Sequence, residues 1–174
     1  MGLSPPTKIR TISSLEYHIV SEVFGATLPH PSRILVTNAA GLSGRPFTIP
    51  TSLVSSILGM NPALFLPTAI LGYPSSVINV AYLMNVGQYY GTLGTSHQRL
   101  LVHETTHVWQ GKNSTLALTY VFSSVLNQGL HGNGAYSYTA GQPWKSYNAE
   151  QQAALVEDCL EAGSPRRARY IHTS

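Results

Sequence analysis

Residues 100–110 read LLVHETTHVWQ. His103 and His107 stand four positions apart, with Glu104 between them, in an otherwise apolar run. A helix turns about 100° per residue, so positions four apart lie about 40° from one another on one face. Both imidazoles can therefore point at one ion. Glu104 sits beside them, where its carboxylate reaches a water on that ion rather than the ion itself. This is the HExxH arrangement of zinc hydrolases. Zinc holds imidazole nitrogen at about 2.0–2.1 Å, keeps a water as its open ligand and lowers that water's pKa towards about 7, and the glutamate takes the proton. The bland alternative is a polar helix face that happens to carry two histidines. Burying a glutamate and two histidines in such a helix would be costly without a purpose.

A catalytic zinc needs a third protein ligand. One solution places a histidine six residues after the second His, following a glycine. Here that position is Asn113 and Gly111 is one place too late, so the pattern fails. The other solution is a glutamate on a later helix. Glu150 is the preferred candidate, because Ala149, Ala153 and Ala154 around it would let its helix approach the metal helix closely. Glu157 and Asp158 compete with it, Glu157 and Glu161 lie on a similar face, and His131 is a further candidate. The rival reading of Glu150 is a solvated acidic stripe.

Working outward, Thr95 or Ser96 can cap the metal helix and Gly111 is expected to stop it. Ser114 then opens a helix over TLALTYVFSSVLNQ, and a glycine- and tyrosine-rich loop, GLHGNGAYSYTAGQPWKSY, leads into a last helix, NAEQQAALVEDCLEA. Nearer the start, SSLEYHIVSEVFG reads as a helix capped by Ser13 or Ser14, with Glu16 in its first turn and Gly25 closing it. RILVTN reads as a strand. GLSGRPFTIP is a turn followed by a short extended piece that Pro50 ends.

Between Arg45 and Arg99 there is no Lys, Arg, Asp or Glu. A membrane span needs about 20 uninterrupted apolar residues. Asn61, Pro62, Pro67, Gly72 and Pro74 interrupt this run. SLVSSIL, ALFLPTAIL and INVAYLMNV are therefore expected to be core elements and cleft wall, not a transmembrane span. INVAYLMNV is the candidate edge strand beside the metal helix, where substrate could add as a further strand. Its alternation sends Ile78, Val80, Tyr82, Met84 and Val86 to one face, expected to pack inward.

The 174 residues suit one domain, taken as 1–174 with 165–174 a flexible tail. Charged residues make up only 10%, against about 25% in ordinary domains, so the polar surface comes from Ser, Thr, Asn, Gln and Tyr. The net charge of +3 sits largely in the terminal RRAR and gives no reason to expect nucleic acid. The single cysteine, Cys159, excludes an internal disulfide and a thiolate-rich zinc site, so a metal must use His and carboxylates. MGLSPPTKIR has no apolar core, so export would not use an N-terminal signal peptide, and the chain could equally be a domain excised from a longer one.

LLVHETTHVWQG followed by YNAEQQAALVED resembles a group of bacterial zincin domains. These are the C-terminal metallopeptidase domains attached to VgrG-type spike proteins and Rhs-type toxins of type VI secretion systems. The resemblance runs from about GLSGRPFTIP to VEDCL. It implies an α+β, zincin-like fold, mostly helical with a small sheet. It implies Zn2+ held by His103, His107 and Glu150, with Glu104 as base. It also implies an antibacterial effector that acts in a target bacterium's periplasm on a protein or peptide substrate, with a spike protein and an immunity protein as partners. One departure stands out. Thermolysin-like enzymes place an Asp four residues after the ligand Glu to orient a histidine, and here that place is Ala154. Peptide cleavage further needs an oxyanion stabiliser, for which HGNGAYSY offers His131, Tyr136 and Tyr138. The rival class is a non-catalytic module, stabilised by zinc, that docks on a membrane or spike partner.

Overall fold

The computed structural model describes residues 8–38, 46–51, 81–113 and 137–161. The expectations for 52–80 and 114–136, including the helix opened by Ser114, lie outside these residues, as does the tail.

The described residues form an α+β arrangement of three α-helices and a four-stranded mixed sheet. In chain order these are β1 (Ile9–Thr11), α1 (Ser14–Phe24), β2 (Ile34–Thr37), β3 (Phe47–Pro50), β4 (Tyr82–Asn85), α2 (Gln98–Asn113) and α3 (Ala149–Glu161). The sheet order is β1-β2-β4-β3, with β2 and β4 parallel and the outer pairs antiparallel. None of the described helices is long and apolar enough to cross a membrane.

α1 starts and stops as its sequence dictates. The Ser13 hydroxyl accepts from the Glu16 N–H, and the Glu16 carboxylate accepts from the Ser13 N–H, a complete capping box. Gly25 ends the helix at φ +57°, a conformation that a side chain disfavours. Glu16 is also gripped by Arg10 of β1 through two bonds, of 2.6 and 2.7 Å. Arg10 in turn donates to the Tyr90 carbonyl and lies over the Tyr90 ring. One guanidinium thus joins the first strand, the first helix and the turn after β4.

The register sets Ile34 beside Tyr82 and Val36 beside Met84, so these four share a face of the sheet. That face meets Val20, Val23 and Phe24 of α1 and Leu101, Val102 and Val108 of α2 in one core. Tyr82, Met84 and Val86 therefore pack inward as their alternation predicts. The opposite face is dry as well: Leu35, Leu83 and Ile49 stand in register and are all buried.

Three expectations need correction. Thr95 or Ser96 was expected to cap the helix that carries His103, but that helix begins at Gln98 and the Thr95 hydroxyl donates to the Thr92 carbonyl. INVAYLMNV was expected to supply an edge strand, but β4 lies between β2 and β3. Alternation fixes which face a side chain takes and says nothing about a strand's neighbours. Among the described residues the edge nearest α2 is β3, whose Thr48 shares the α2-facing side with Met84. Gly111 does not stop the metal helix, which continues to Asn113. A β-carbon at position 111 would stand 2.5 Å from Cε1 of Tyr82. This glycine admits the buried Tyr82 ring against the helix; it is not a terminator.

Candidate metal centre

α2 and α3 run antiparallel. Arg99 and His103 meet Glu157, while His107 and Gln110 meet Glu150 and Ala149 further along. Of the three alanines expected to ease that approach, Ala149 and Ala153 are buried and Ala154 is half-buried. The start of α3 is set by Asn148. Its Oδ1 accepts from the Gln151 N–H at 2.9 Å, and Gln151 Oε1 accepts from the Asn148 N–H at 3.0 Å. This reciprocal cap places Glu150 in the first turn, facing α2.

His103, His107 and Glu150 converge there, all buried, each offering one ligand atom within 4.8 Å of the others. Glu150 Oε2 lies 3.2 Å from His103 Nε2, and Oε1 lies 3.4 Å from His107 Nε2. Tetrahedral zinc with bonds of about 2.0–2.1 Å spaces its ligand atoms about 3.3 Å apart, close to the distance of each imidazole nitrogen from its nearer Glu150 oxygen. His107 Nε2 is buried and has no hydrogen-bond partner. A buried nitrogen left this way is costly unless something accepts its lone pair. Two imidazole nitrogens and a carboxylate oxygen form the donor set of a His-His-Glu metal site. The group fits a metal ion, in the HExxH-plus-Glu pattern.

The electrostatics point the same way. Burial works against charge on His103, but the Glu150 and Glu157 carboxylates outweigh it and push the imidazole up to about 10. His107 is also raised, with burial opposed chiefly by Glu150. Burial resists ionisation of Glu150 too, but the two imidazoles hold it well below the usual carboxylate range. The protein groups alone thus favour positive charge beside Glu150. A divalent cation can supply that charge in place of protons on the rings.

Each histidine has its second nitrogen held. His103 Nδ1 lies 3.1 Å from Glu157 Oε2, and Arg99 grips the other Glu157 oxygen at 2.8 Å. His107 Nδ1 lies 2.8 Å from Gln110 Oε1. Residue Ala154 left the partner of the two histidines unaccounted for, and Glu157 and Gln110 fill that gap. Seven residues make almost two helical turns, so Glu157 lies about 20° from Glu150 and about 10 Å further along α3. It reaches the opposite edge of the same imidazole. Glu157, read from sequence as a rival ligand, thus faces Nδ1 while Glu150 faces Nε2.

Glu104 lies beside the cluster at 2% exposure. Thr48 of β3 donates to its Oε2 at 2.7 Å, and among the described residues Oε1 takes no hydrogen bond. Burial pushes the Glu104 carboxyl up, against the pull of both histidines and Thr48. Tyr138 is engaged elsewhere. Its hydroxyl donates to Asp158 Oδ2 at 2.7 Å, and Asp158 is linked through Arg99 and Glu157 to His103. Burial and that bond raise the Tyr138 phenol. His131 and Tyr136 lie outside the described residues.

Comparison with protein-family models, with curated proteins and with solved structures finds no match to this chain. The chemistry of the centre therefore rests on its own residues and distances.

Proposed function

We propose that the chain is a zinc-dependent peptide-bond hydrolase of the HExxH-plus-Glu type. The observation that carries this reading is the convergence of His103, His107 and Glu150, with a buried His107 nitrogen that makes no hydrogen bond and Glu104 alongside. In this reading the three residues hold the ion. Bound zinc supplies Lewis acidity toward a carbonyl and a water acidic enough to attack it near neutral pH. Glu104 is the general base. Thr48 anchors one of its oxygens and leaves the other to take the proton and pass it to the leaving amine. A carboxyl raised by burial suits that exchange better than one at its ordinary value. Tyr136 and His131 are the candidates for oxyanion stabilisation, and Tyr138 could serve only by exchanging its bond to Asp158.

The biological setting rests on the resemblance of LLVHETTHVWQG and YNAEQQAALVED to type VI effector domains. It is an antibacterial toxin carried by a spike protein, acting in the target periplasm and neutralised by an immunity protein. Two measurements on Glu104→Gln test the proposal. Zinc should remain at about one ion per chain by elemental analysis. Peptide cleavage and toxicity of periplasm-directed protein should fall about 10²–10⁴-fold, the usual cost of a lost general base. Undiminished toxicity would sink the catalytic reading and leave a zinc-stabilised docking module.

A further inference from the structure

We propose that Gln110 and Gln152 are positioning residues. They form an amide relay that fixes His107 in the tautomer whose free lone pair lies on Nε2. The inference rests on the reading of His103, His107 and Glu150 as a metal site and adds the device that readies one ligand.

The relay starts at backbone. Gln152 Nε2 donates to the carbonyls of Trp144 at 3.1 Å and Tyr147 at 3.2 Å. A carbonyl only accepts, so the side of the Gln152 amide facing this turn must be its NH2. Its oxygen then faces Gln110, whose NH2 donates to it at 2.9 Å and to the Ala149 carbonyl at 3.1 Å. Three backbone carbonyls thereby orient both amides, each of which could otherwise be flipped end for end. Gln110 must present its oxygen to His107 Nδ1, 2.8 Å away, and that oxygen can only accept. The neutral ring therefore carries its proton on Nδ1. Its lone pair falls on Nε2, the buried atom with no hydrogen-bond partner that faces Glu150.

Both glutamines are 4% exposed, so water does not compete for these bonds. On His103 the Nδ1 position is held instead by the carboxylate of Glu157, while Glu150 faces Nε2. The two ligands are thus prepared by different chemistry, one by an anion and one by a neutral chain of amides. The relay also ties the Trp144–Ser146 turn to the metal helix. Gln152, two residues after Glu150, has a task that neither its type nor its spacing reveals.

Zinc affinity of the full chain, read by competition with a chromophoric chelator, tests the relay. Gln110→Leu should weaken binding about 10–100-fold, the usual effect of losing such a partner. Gln152→Leu should weaken it in the same direction. The double variant should bind no worse than Gln110→Leu alone, because the two residues act in series. Unchanged affinity in Gln152→Leu, or costs that multiply, would overturn the relay. If the leucine variants do not fold, long-range proton–nitrogen NMR correlations on the wild-type chain decide it. The neutral His107 ring should be protonated at Nδ1, and a proton on Nε2 would refute the proposal. A wild-type chain that binds no zinc overturns the metal reading instead, and the tautomer measured at alkaline pH on that metal-free chain still settles the relay.

Discussion

Glu16 on α1 and Glu150 on α3 are both almost wholly buried, at 4% and 1% exposure, and both face nitrogen donors. Around Glu16 the bonding is closed. Arg10 takes both oxygens, the Ser13 N–H adds a third bond, and the cation is permanent. Burial alone would raise this carboxyl, yet the partners outweigh it and hold it below its usual range. Beside Glu150 stand two imidazoles, whose charge depends on a proton. One of those ring nitrogens has no hydrogen bond. A closed ion pair joins elements of the fold, whereas an open cluster leaves a nitrogen lone pair that a cation can take. The sequence shows a Glu in the first turn of a helix in both places, and only the partners tell the two apart.

The sharpest way to break this contrast is to remove each carboxylate in turn. Glu150→Ala should lose zinc, since deleting one of three ligands forfeits on the order of 4 kcal/mol of a binding free energy of order 10 kcal/mol, roughly a thousandfold in affinity. Glu16→Ala should bind zinc as the wild type does while folding less stably. Thermal melts with and without added zinc separate them. Excess zinc should raise the midpoint of the wild type and of Glu16→Ala, and leave Glu150→Ala where it was. Equal zinc stabilisation of all three would show that Glu150 is another structural carboxylate.

Much of the site was legible because its pattern is local. The i, i+4 histidines, the glutamate between them and the small residues around Glu150 all lie on single helices, where periodicity fixes the facing side. What could not be read depends on chain segments meeting. Glu150 and Glu157 share a face by periodicity, but which nitrogen of His103 each reaches depends on where α2 lies against α3. Gln110 looked like the tail of a helix until Gln152 and the Ala149 carbonyl came near it. Gly111 has the residue type of a stop, yet Tyr82, far off in sequence, is what requires it. β4 shows its faces by alternation, but its insertion between two strands from earlier in the chain leaves no mark in its own residues.

A smaller effect sharpens the closed side. Arg10→Ala leaves a buried carboxylate short of its partner and should cost about 1–2 kcal/mol, a figure held down because the arginine is 30% exposed. The sign with pH follows from Glu16 lying below its usual range. A lowered carboxyl adds stability above its unfolded pKa of about 4.3, and that stability is lost as pH falls through the folded value. Urea titrations should therefore show a gap between wild type and Arg10→Ala at pH 7 that narrows below about pH 4.3. A gap that persists into strong acid would mean the guanidinium acts by packing on Tyr90, over whose ring it lies at 4.8 Å.

The smallest expected effect concerns a contact that joins the sheet to the open cluster. Thr48 of β3 donates to Glu104 Oε2 at 2.7 Å from the side of the sheet that faces α2. Thr48→Val keeps the shape of the side chain and removes the donor. Glu104 is no ligand in the proposed centre, so zinc affinity should stay within about twofold of wild type, well inside the scale of losing a residue that holds a ligand. The carboxylate would lose the bond that fixes its orientation, worth on the order of 1 kcal/mol, or roughly fivefold in rate. The variant should thus separate the two roles, with zinc retained and peptide cleavage reduced several-fold. Loss of zinc in Thr48→Val would mean that Glu104 is itself part of the metal's coordination, and the division between three ligands and one base would have to be redrawn. Full cleavage activity would mean that α2 alone positions the base and that β3 contributes only packing.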